Sequence, residues 1–178
     1  PLAFTYHHNR QEAYLAAAMA ILDSGLTCSA SLPCPAEMGG SIHIHGTGSS
    51  IVDTVFVCRN RGTTPRAQLF HDATQLAFIM VRELDDLRAA GMKPTAGDIR
   101  CIAFGHITHM AIWNLRPLWD ARQPTEKKLA IIRAAMDDIA TVDDVKTRLE
   151  GVQTPQSAPA GGLFAKQEQQ EPLDAVTF

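Results

Sequence analysis

Two adjacent histidines near the start of the chain are the first residues whose type and place suit chemistry. His7 and His8 directly follow the apolar run 2–6, which is typical of a buried strand. In open α/β sheets, ligands bind outside the carboxyl ends of the parallel strands. Successive side chains of an extended segment point to opposite sides. The sequence therefore predicts that at most one of these histidines faces a ligand, while the other packs or meets solvent.

A second set of residues has the types that zinc accepts. His43 and His45 alternate along an extended stretch and so share a face. Together with Cys28, Cys34 or Cys58 they would supply imidazole and thiolate ligands. The spacing argues against such a site, because the chain contains no Cys-x-x-Cys and no His-x-x-x-His. Cysteines within apolar strands behave as small hydrophobic residues, so we expect packing and no metal.

The elements that position these residues begin with a strand, a helix and two further strands. The segment 11–24 predicts a helix that Gly25 ends, and residues 26–32 predict a strand ended by Pro33 and Pro35. Residues 51–58 form the clearest strand pattern of the chain. The helix is long enough for a right-handed parallel crossover between the first two strands. The Gly-rich connection before the last strand favours an antiparallel pair.

The rest of the chain predicts helices. An apolar stripe runs from a start at Pro65 to Gly91, and Thr95 with Asp98 has the pattern of a capping box before a second helix that Pro117 ends. That second helix carries His106 and His109 on an apolar surface, which favours packing in a core or against a partner. A third helix follows over 129–139, and residues 141–144 cap a short fourth one.

Composition separates these two parts and excludes several classes of protein. Residues 1–65 carry seven charged side chains, and residues 66–178 carry twenty-eight. The net charge of −3 does not indicate a strongly basic nucleic-acid-binding surface. No apolar run is long enough to span a membrane, and no secretory leader opens the chain, so we expect a cytoplasmic protein. Residues 152–178 are rich in Gln, Pro, Ala, Gly and Glu and predict a disordered tail.

Several stretches together resemble one family. They are the strand that ends in His7-His8, the helix after it, the turn 33–38 with its Glu-Met, and the strand Asp53-Thr-Val-Phe-Val-Cys-Arg59. This pattern resembles the C-terminal part of bacterial adenine-specific DNA methylases that carry an N-terminal domain of unknown function, some of them associated with anti-phage defence. The resemblance covers residues 1–61 well and residues 66–120 more loosely.

The resemblance implies a fold class and a division of the chain. The fold would be α/β, with residues 1–62 as the last strands of a Rossmann-like methyltransferase sheet, in the order strand-helix-strand-strand, including its antiparallel hairpin. Residues 63–151 would be a helical appendage, and 152–178 the tail. The upstream half of the family supplies the Gly-rich loop for S-adenosylmethionine and the Asp-Pro-Pro-Tyr motif. This chain has neither, since Gly46-Thr-Gly48 precedes a strand and no Pro-Pro occurs.

The same resemblance implies a pocket for the target base. His7 or His8 would orient or stack on the base, Glu37 would accept a hydrogen bond from its amino group, and Met38 would contact its face. The alternative for the turn 33–38 is a rigid Pro-x-Pro turn with a solvated carboxylate. The alternative for the histidines is packing or solvent exposure.

Three arginines follow the last predicted strand. Arg59, Arg61 and Arg66 lie close together in the sequence. They would touch DNA phosphates, which position a duplex without reading its bases. The acidic overall balance favours the alternative of a solvated arginine turn.

We therefore expect the C-terminal portion of an S-adenosylmethionine-dependent DNA amino-methyltransferase of the adenine-specific type. Its partners would be DNA and the missing methyltransferase half or another subunit, with the cofactor bound mainly by that half. This chain alone is expected to be inactive. The target base would be flipped out of the duplex, because its amino nitrogen is inaccessible within the stack. The alternative is a non-catalytic binding or assembly module of a defence or DNA-modification complex.

Overall fold

The chain runs strand, helix, strand, strand and then continues as helices. The computed structural model describes residues 1–36, 51–60 and 72–151. Their elements are β1 (Leu2–Tyr6), α1 (Gln11–Asp23), β2 (Leu26–Pro35), β3 (Val52–Asn60), α2 (Ala73–Ala89), α3 (Ala96–Leu115), α4 (Thr125–Ile139) and α5 (Val142–Gly151), with a 3-10 turn at Arg116–Leu118. The predicted α/β class and the predicted order of elements are confirmed.

The third strand lies in the middle of the sheet. The order is β1-β3-β2, and β3 pairs antiparallel with both neighbours. The predicted antiparallel pair of the last two strands is confirmed. Since both outer strands oppose β3, β1 and β2 run parallel, as the helical crossover predicts. They are not neighbours, however, because β3 separates them.

Pro33 does not end the second strand, which corrects that part of the prediction, whereas Pro35 is its last residue. Pro33 pairs with Thr54 and Pro35 with Val52, so β2 continues to Pro35. The reason is that β2 is an edge strand, where a residue without an N–H is tolerated on the outer side. A register shift between Cys28 and Ala30 bends the same strand near its start.

The two faces of the sheet differ in cover. On β3, alternate side chains at 52, 54, 56 and 58 are buried, while Val55 and Val57 opposite them are half-buried. The helices that contact the sheet, α1 and α3, pack on the first face, where Tyr14 stacks edge-on with Phe56. On the second face, β1 presents the exposed Ala3 beside Val57. The described helices therefore cover one side of the sheet.

The longest helix lies at the centre of the fold. α3 contacts both β2 and β3 and also packs against α1 and α4. It approaches the sheet at Gly105, where a Cβ atom would lie 2.7 Å from Thr54 Cγ2 and 2.8 Å from Ser31 Oγ. Only glycine fits that contact without a shift of the strands or the helix. Residues from both predicted parts of the chain form one hydrophobic core.

Polar contacts link the end of α1 to the segment that follows α3 and to Lys128 on α4. The Asp23 carboxylate accepts from Lys128 Nζ at 2.7 Å and from Trp119 Nε1 at 3.0 Å. The hydrogen bond from Lys128 is the main reason that the pKa of Asp23 is lowered. Arg116 donates to the Leu22 carbonyl at 2.6 Å, at the negative end of the α1 dipole. The helical part is thus bound to the first helix as well as to the sheet.

The four helices predicted for the second part of the chain are present, and the first of them begins later in the sequence than predicted. α2 begins at Ala73, where the Asp72 side chain accepts from the Gln75 backbone N–H, and not at Pro65. The extended backbone of Asp72 prevents one continuous helix through this residue. Residues 61–71 and the predicted tail 152–178 lie outside the described residues. No helix within the described ranges is long and apolar enough to cross a membrane.

Candidate functional site

The carboxyl ends of the two parallel strands lie at the same edge of the sheet. β1 ends at Tyr6 and is followed by His7, and β2 ends at Pro35. The Ala36 N–H donates to the Ile51 carbonyl at 2.9 Å and closes the hairpin between β2 and β3 at that edge. His7 therefore lies at the end of the sheet where the chain leaves β2 and returns to β3. Ligands of open α/β sheets bind at such an edge.

The strand register brings an aspartate to His7. Tyr6 pairs with Thr54 in antiparallel register. His7, which follows Tyr6, therefore lies opposite Asp53, which precedes Thr54. His7 Nδ1 is 3.1 Å from the Val52 carbonyl oxygen and 3.3 Å from Asp53 Oδ1. The His7 side chain is 39% exposed and that of Asp53 is 21% exposed. The pair is reachable from solvent and held on one side by the strand.

His8 has a different place and a local role. Its Nδ1 accepts a hydrogen bond from the Arg10 backbone N–H at 3.0 Å, immediately before α1. Arg10 is the residue that precedes the helix and has no capping side chain of its own. The two histidines therefore separate as the alternation of side chains predicts. His7 joins the aspartate of β3, and His8 holds the turn into α1.

A buried carboxylate holds the start of β3. Asp98 is fully buried, and its Oδ1 accepts from the Ile51 N–H at 2.7 Å and the Val52 N–H at 2.9 Å. Its Oδ2 accepts from the Thr95 N–H at 2.6 Å and from Thr95 Oγ1 at 2.8 Å, which completes the predicted capping box of α3. One side chain thus anchors both the helix and the strand segment that carries Asp53.

The arginine of β3 lies at the other end of the sheet. Arg59 pairs with Thr27, and its Nε donates to Ser29 Oγ at 3.3 Å. Six residues of extended strand separate it from Asp53, a distance of about 20 Å. Arg59 is therefore remote from His7. Glu37, Met38, Arg61 and Arg66, together with His43 and His45, lie outside the described residues.

The cysteines of the sheet pack in the core, as predicted. Cys28 and Cys58 are directly opposite each other on β2 and β3, and both are fully buried. Their mutual hydrogen bond, together with burial, raises the pKa of the Cys28 thiol. Within residues 1–36, 51–60 and 72–151, no group of three His, Cys, Asp or Glu side chains is arranged to hold a metal.

A second histidine cluster lies between α2 and α3. His106 Nε2 is 2.8 Å from Glu83 Oε2, and both side chains are largely buried. His109, one turn further along α3, is 4% exposed, and its Nε2 has no hydrogen-bond partner within the part of the chain that the structure describes. Burial, with a smaller contribution from the charge of His106, lowers the pKa of His109 to about 4. The predicted packing of these histidines is confirmed.

A small cavity lies beside the first turn of α1. It has a volume of about 180 Å³ and is lined by Gln11, Phe104, Met136 and Asp137 among others. Gln11 Nε2 donates to Asp137 Oδ1 at 2.9 Å at its wall. Sites for small molecules usually measure roughly 300–1,000 Å³, so this cavity is too small for a nucleoside.

Sequence reasoning identified His7 and missed its partners. Asp53 is the only charged residue within the apolar run 51–58, and this was the available signal. The role of Asp98 beyond its own helix had no local signal, because its backbone partners belong to β3. No protein-family model, curated protein or solved structure matches this chain.

Proposed function

We propose that this chain is the C-terminal portion of an S-adenosylmethionine-dependent DNA amino-methyltransferase of the adenine-specific type. The observation that carries the proposal is the arrangement of the sheet at His7, where the carboxyl ends of the two parallel strands lie. Two parallel strands joined by a helix end there, and an antiparallel hairpin closes at the same edge. This arrangement agrees with the order of elements along the chain and the antiparallel hairpin that the resemblance implies. In such a sheet a ligand would bind beside His7.

The outer edge of β1 supports a role as part of a larger sheet. β1 pairs with β3 on one side, and no described strand pairs with it on the other. It carries no charge and no proline, the devices that usually protect an exposed edge strand. By contrast, Pro33 and Pro35 occupy the opposite edge of the sheet. A strand of the catalytic half would pair with β1 and extend the sheet.

The proposed division of labour follows from the residues present. The Gly-rich cofactor loop and Asp-Pro-Pro-Tyr belong to the upstream half, which supplies the methyl donor. The described residues of this chain offer no phosphate-type glycine loop between a strand and a helix. This chain contributes the wall of the base pocket, with His7 toward the flipped base and Glu37 and Met38 in the segment that follows β2. Arg61 and Arg66 would contact DNA phosphates.

Reconstitution tests the proposal. The chain is combined with a methyltransferase half from the same source that carries the cofactor loop and Asp-Pro-Pro-Tyr, and transfer of labelled methyl groups to DNA is measured. We expect transfer only when both halves are present. His7→Ala should reduce transfer, while Thr5→Ala, on exposed β1 two residues away, should not. A folded, bound and inactive wild-type pair would contradict the proposal.

A binding module is the second candidate, favoured by two exposed apolar side chains. Phe78 on α2 is 56% exposed, and Leu118 in the 3-10 turn is 84% exposed. Large exposed apolar side chains often anchor a protein partner. In this case the chain captured from its source cell would be bound to a protein that is not a methyltransferase half. Phe78→Ala or Leu118→Ala would weaken that complex.

A further inference from the structure

Both contacts that the described residues make with Nδ1 of the His7 ring come from acceptors. Nδ1 lies 3.1 Å from the Val52 carbonyl oxygen and 3.3 Å from Asp53 Oδ1. A carbonyl oxygen and an ionised carboxylate accept hydrogen bonds and cannot donate them. Nδ1 must therefore carry a proton for either contact to be favourable. In the neutral imidazole this leaves Nε2 with a lone pair and no proton.

The acceptors themselves are held in place. The Val52 N–H donates to the buried Asp98 carboxylate at 2.9 Å. Because Asp98 also caps α3, the Val52 carbonyl, which belongs to the next peptide group, is held at the start of that helix. Asp53 follows Val52 directly within the paired part of β3. Both acceptors near the His7 ring therefore have fixed positions. Rotation of the ring by half a turn would replace the donor N–H with a C–H and lose both contacts.

We infer that the Val52 carbonyl, with the Asp53 carboxylate beside it, sets the tautomer of His7, so that Nε2 accepts a hydrogen bond from an amino group of the ligand. The inference rests on the proposed function and names the group that the site recognises, the exocyclic N–H of the target base. A DNA phosphodiester does not fit Nε2 of the neutral ring, because it has no proton to donate there. The neighbouring Asp53 carboxylate would also repel it.

Nitrogen NMR of the full 178-residue chain tests the positioning without any activity measurement. At a pH where the ring is neutral, the His7 signals, assigned with His7→Gln, should show protonated Nδ1 and unprotonated Nε2. Asp53→Asn should leave the Nδ1–H tautomer predominant but add a minor Nε2–H form, because the Val52 carbonyl still accepts from Nδ1 while the carboxylate is gone. Asp85→Asn, an exposed carboxylate on α2, is the matched control and should leave the His7 signals unchanged.

Two results would overturn the positioning role. One is a predominant Nε2–H tautomer in the wild-type chain. The other is an Asp53→Asn spectrum in which the Nε2–H tautomer predominates although the Val52 carbonyl is still present. Both are independent of whether the chain belongs to a methyltransferase, so a failure here is separate from a failure of the proposed function.

The recognised group is tested in the reconstituted enzyme with two DNA substrates. One carries adenine at the target position, and the other carries purine, which lacks the exocyclic amino group. Wild-type enzyme should bind the adenine DNA more tightly by roughly three- to tenfold, the effect of one net hydrogen bond. Asp53→Asn should reduce this preference, while Asp85→Asn keeps it. Equal binding of both DNAs by an active wild-type enzyme would overturn the amino-group assignment. If the reconstituted pair is inactive while NMR shows the Nδ1–H tautomer of His7, only the proposed function is overturned.

Discussion

His109 shows how the environment of one residue sets a pH dependence. The ring is buried in α3 beside His106, which itself contacts Glu83. Its pKa is about 4 in the folded chain, against the ordinary value of 6.5. The unfolded chain therefore binds a proton at a higher pH than the folded chain does. The contribution of His109 to stability is complete above pH 6.5 and is lost as the pH falls toward 4.

We predict that His109→Gln flattens this part of the stability profile. The wild-type free energy of unfolding should fall by about 3 kcal/mol between pH 6.5 and 4 through this residue alone, since each pKa unit corresponds to about 1.4 kcal/mol. The variant cannot take up that proton. Urea unfolding at several pH values in this range gives the two slopes.

The control for this measurement is Thr74→Ala. Thr74 is exposed on α2 and has no ionisable group. Its replacement should leave the slope between pH 4 and 6.5 as in the wild type. If the wild-type chain and His109→Gln show the same slope, the buried ring does not control acid stability.

At the scale of elements, the two capping boxes were predictable from their spacing alone. Thr95 with Asp98 opens α3, and Thr141 with Asp144 opens α5, as the sequence pattern indicates. The boxes share their local hydrogen bonds. They differ in that Asp98 also accepts two backbone N–H groups of β3, whereas Asp144 is at the surface.

This contrast predicts unequal losses of stability. Asp98→Asn replaces one acceptor oxygen by an amide donor that faces N–H groups in a buried place. It should lower the free energy of unfolding by about 2–4 kcal/mol, the cost of buried hydrogen-bond partners left unpaired. Asp144→Asn, in the exposed box, should cost clearly less. Urea unfolding followed by tryptophan fluorescence compares the two, and equal losses would contradict the anchoring of β3 by Asp98.

The order of strands was less accessible to sequence reasoning than their existence. The apolar runs 2–6 and 51–58 mark β1 and β3 because buried strands need such residues. Nothing in those runs says that β3 enters between the other two strands. The place of Asp53 beside His7 depends on that insertion and on the register of Tyr6 with Thr54. The sequence therefore indicates His7, whereas its contact with Asp53 could be found only from the structure.

At the scale of the whole molecule, the sheet and the helices depend on one another. α3 covers the inner face of the sheet and meets it closely at Gly105. Without that helix the buried side chains of β3, Phe56 among them, would be exposed to water. The predicted boundary between residues 62 and 63 stays a prediction, and residues from both sides of it share one hydrophobic core.

We therefore predict that a chain of residues 1–62 does not fold by itself. Circular dichroism during thermal unfolding should show no cooperative transition, because the apolar face of the sheet lacks α3. A chain of residues 1–151 keeps every described element and serves as the control, which should unfold cooperatively. A cooperative transition in the shorter chain would mean that the three strands and α1 suffice.

The central place of β3 has a consequence for synthesis on the ribosome. β1 and β2 are made first, yet the sheet gives them no bonds to each other. Each waits for the same later strand, so neither can complete its pairing with β3 before residue 60 has left the exit tunnel. Their contacts are distant in sequence, which slows folding. Until β3 arrives, the nascent chain must keep two apolar strands apart, and a chaperone would meet it at this stage.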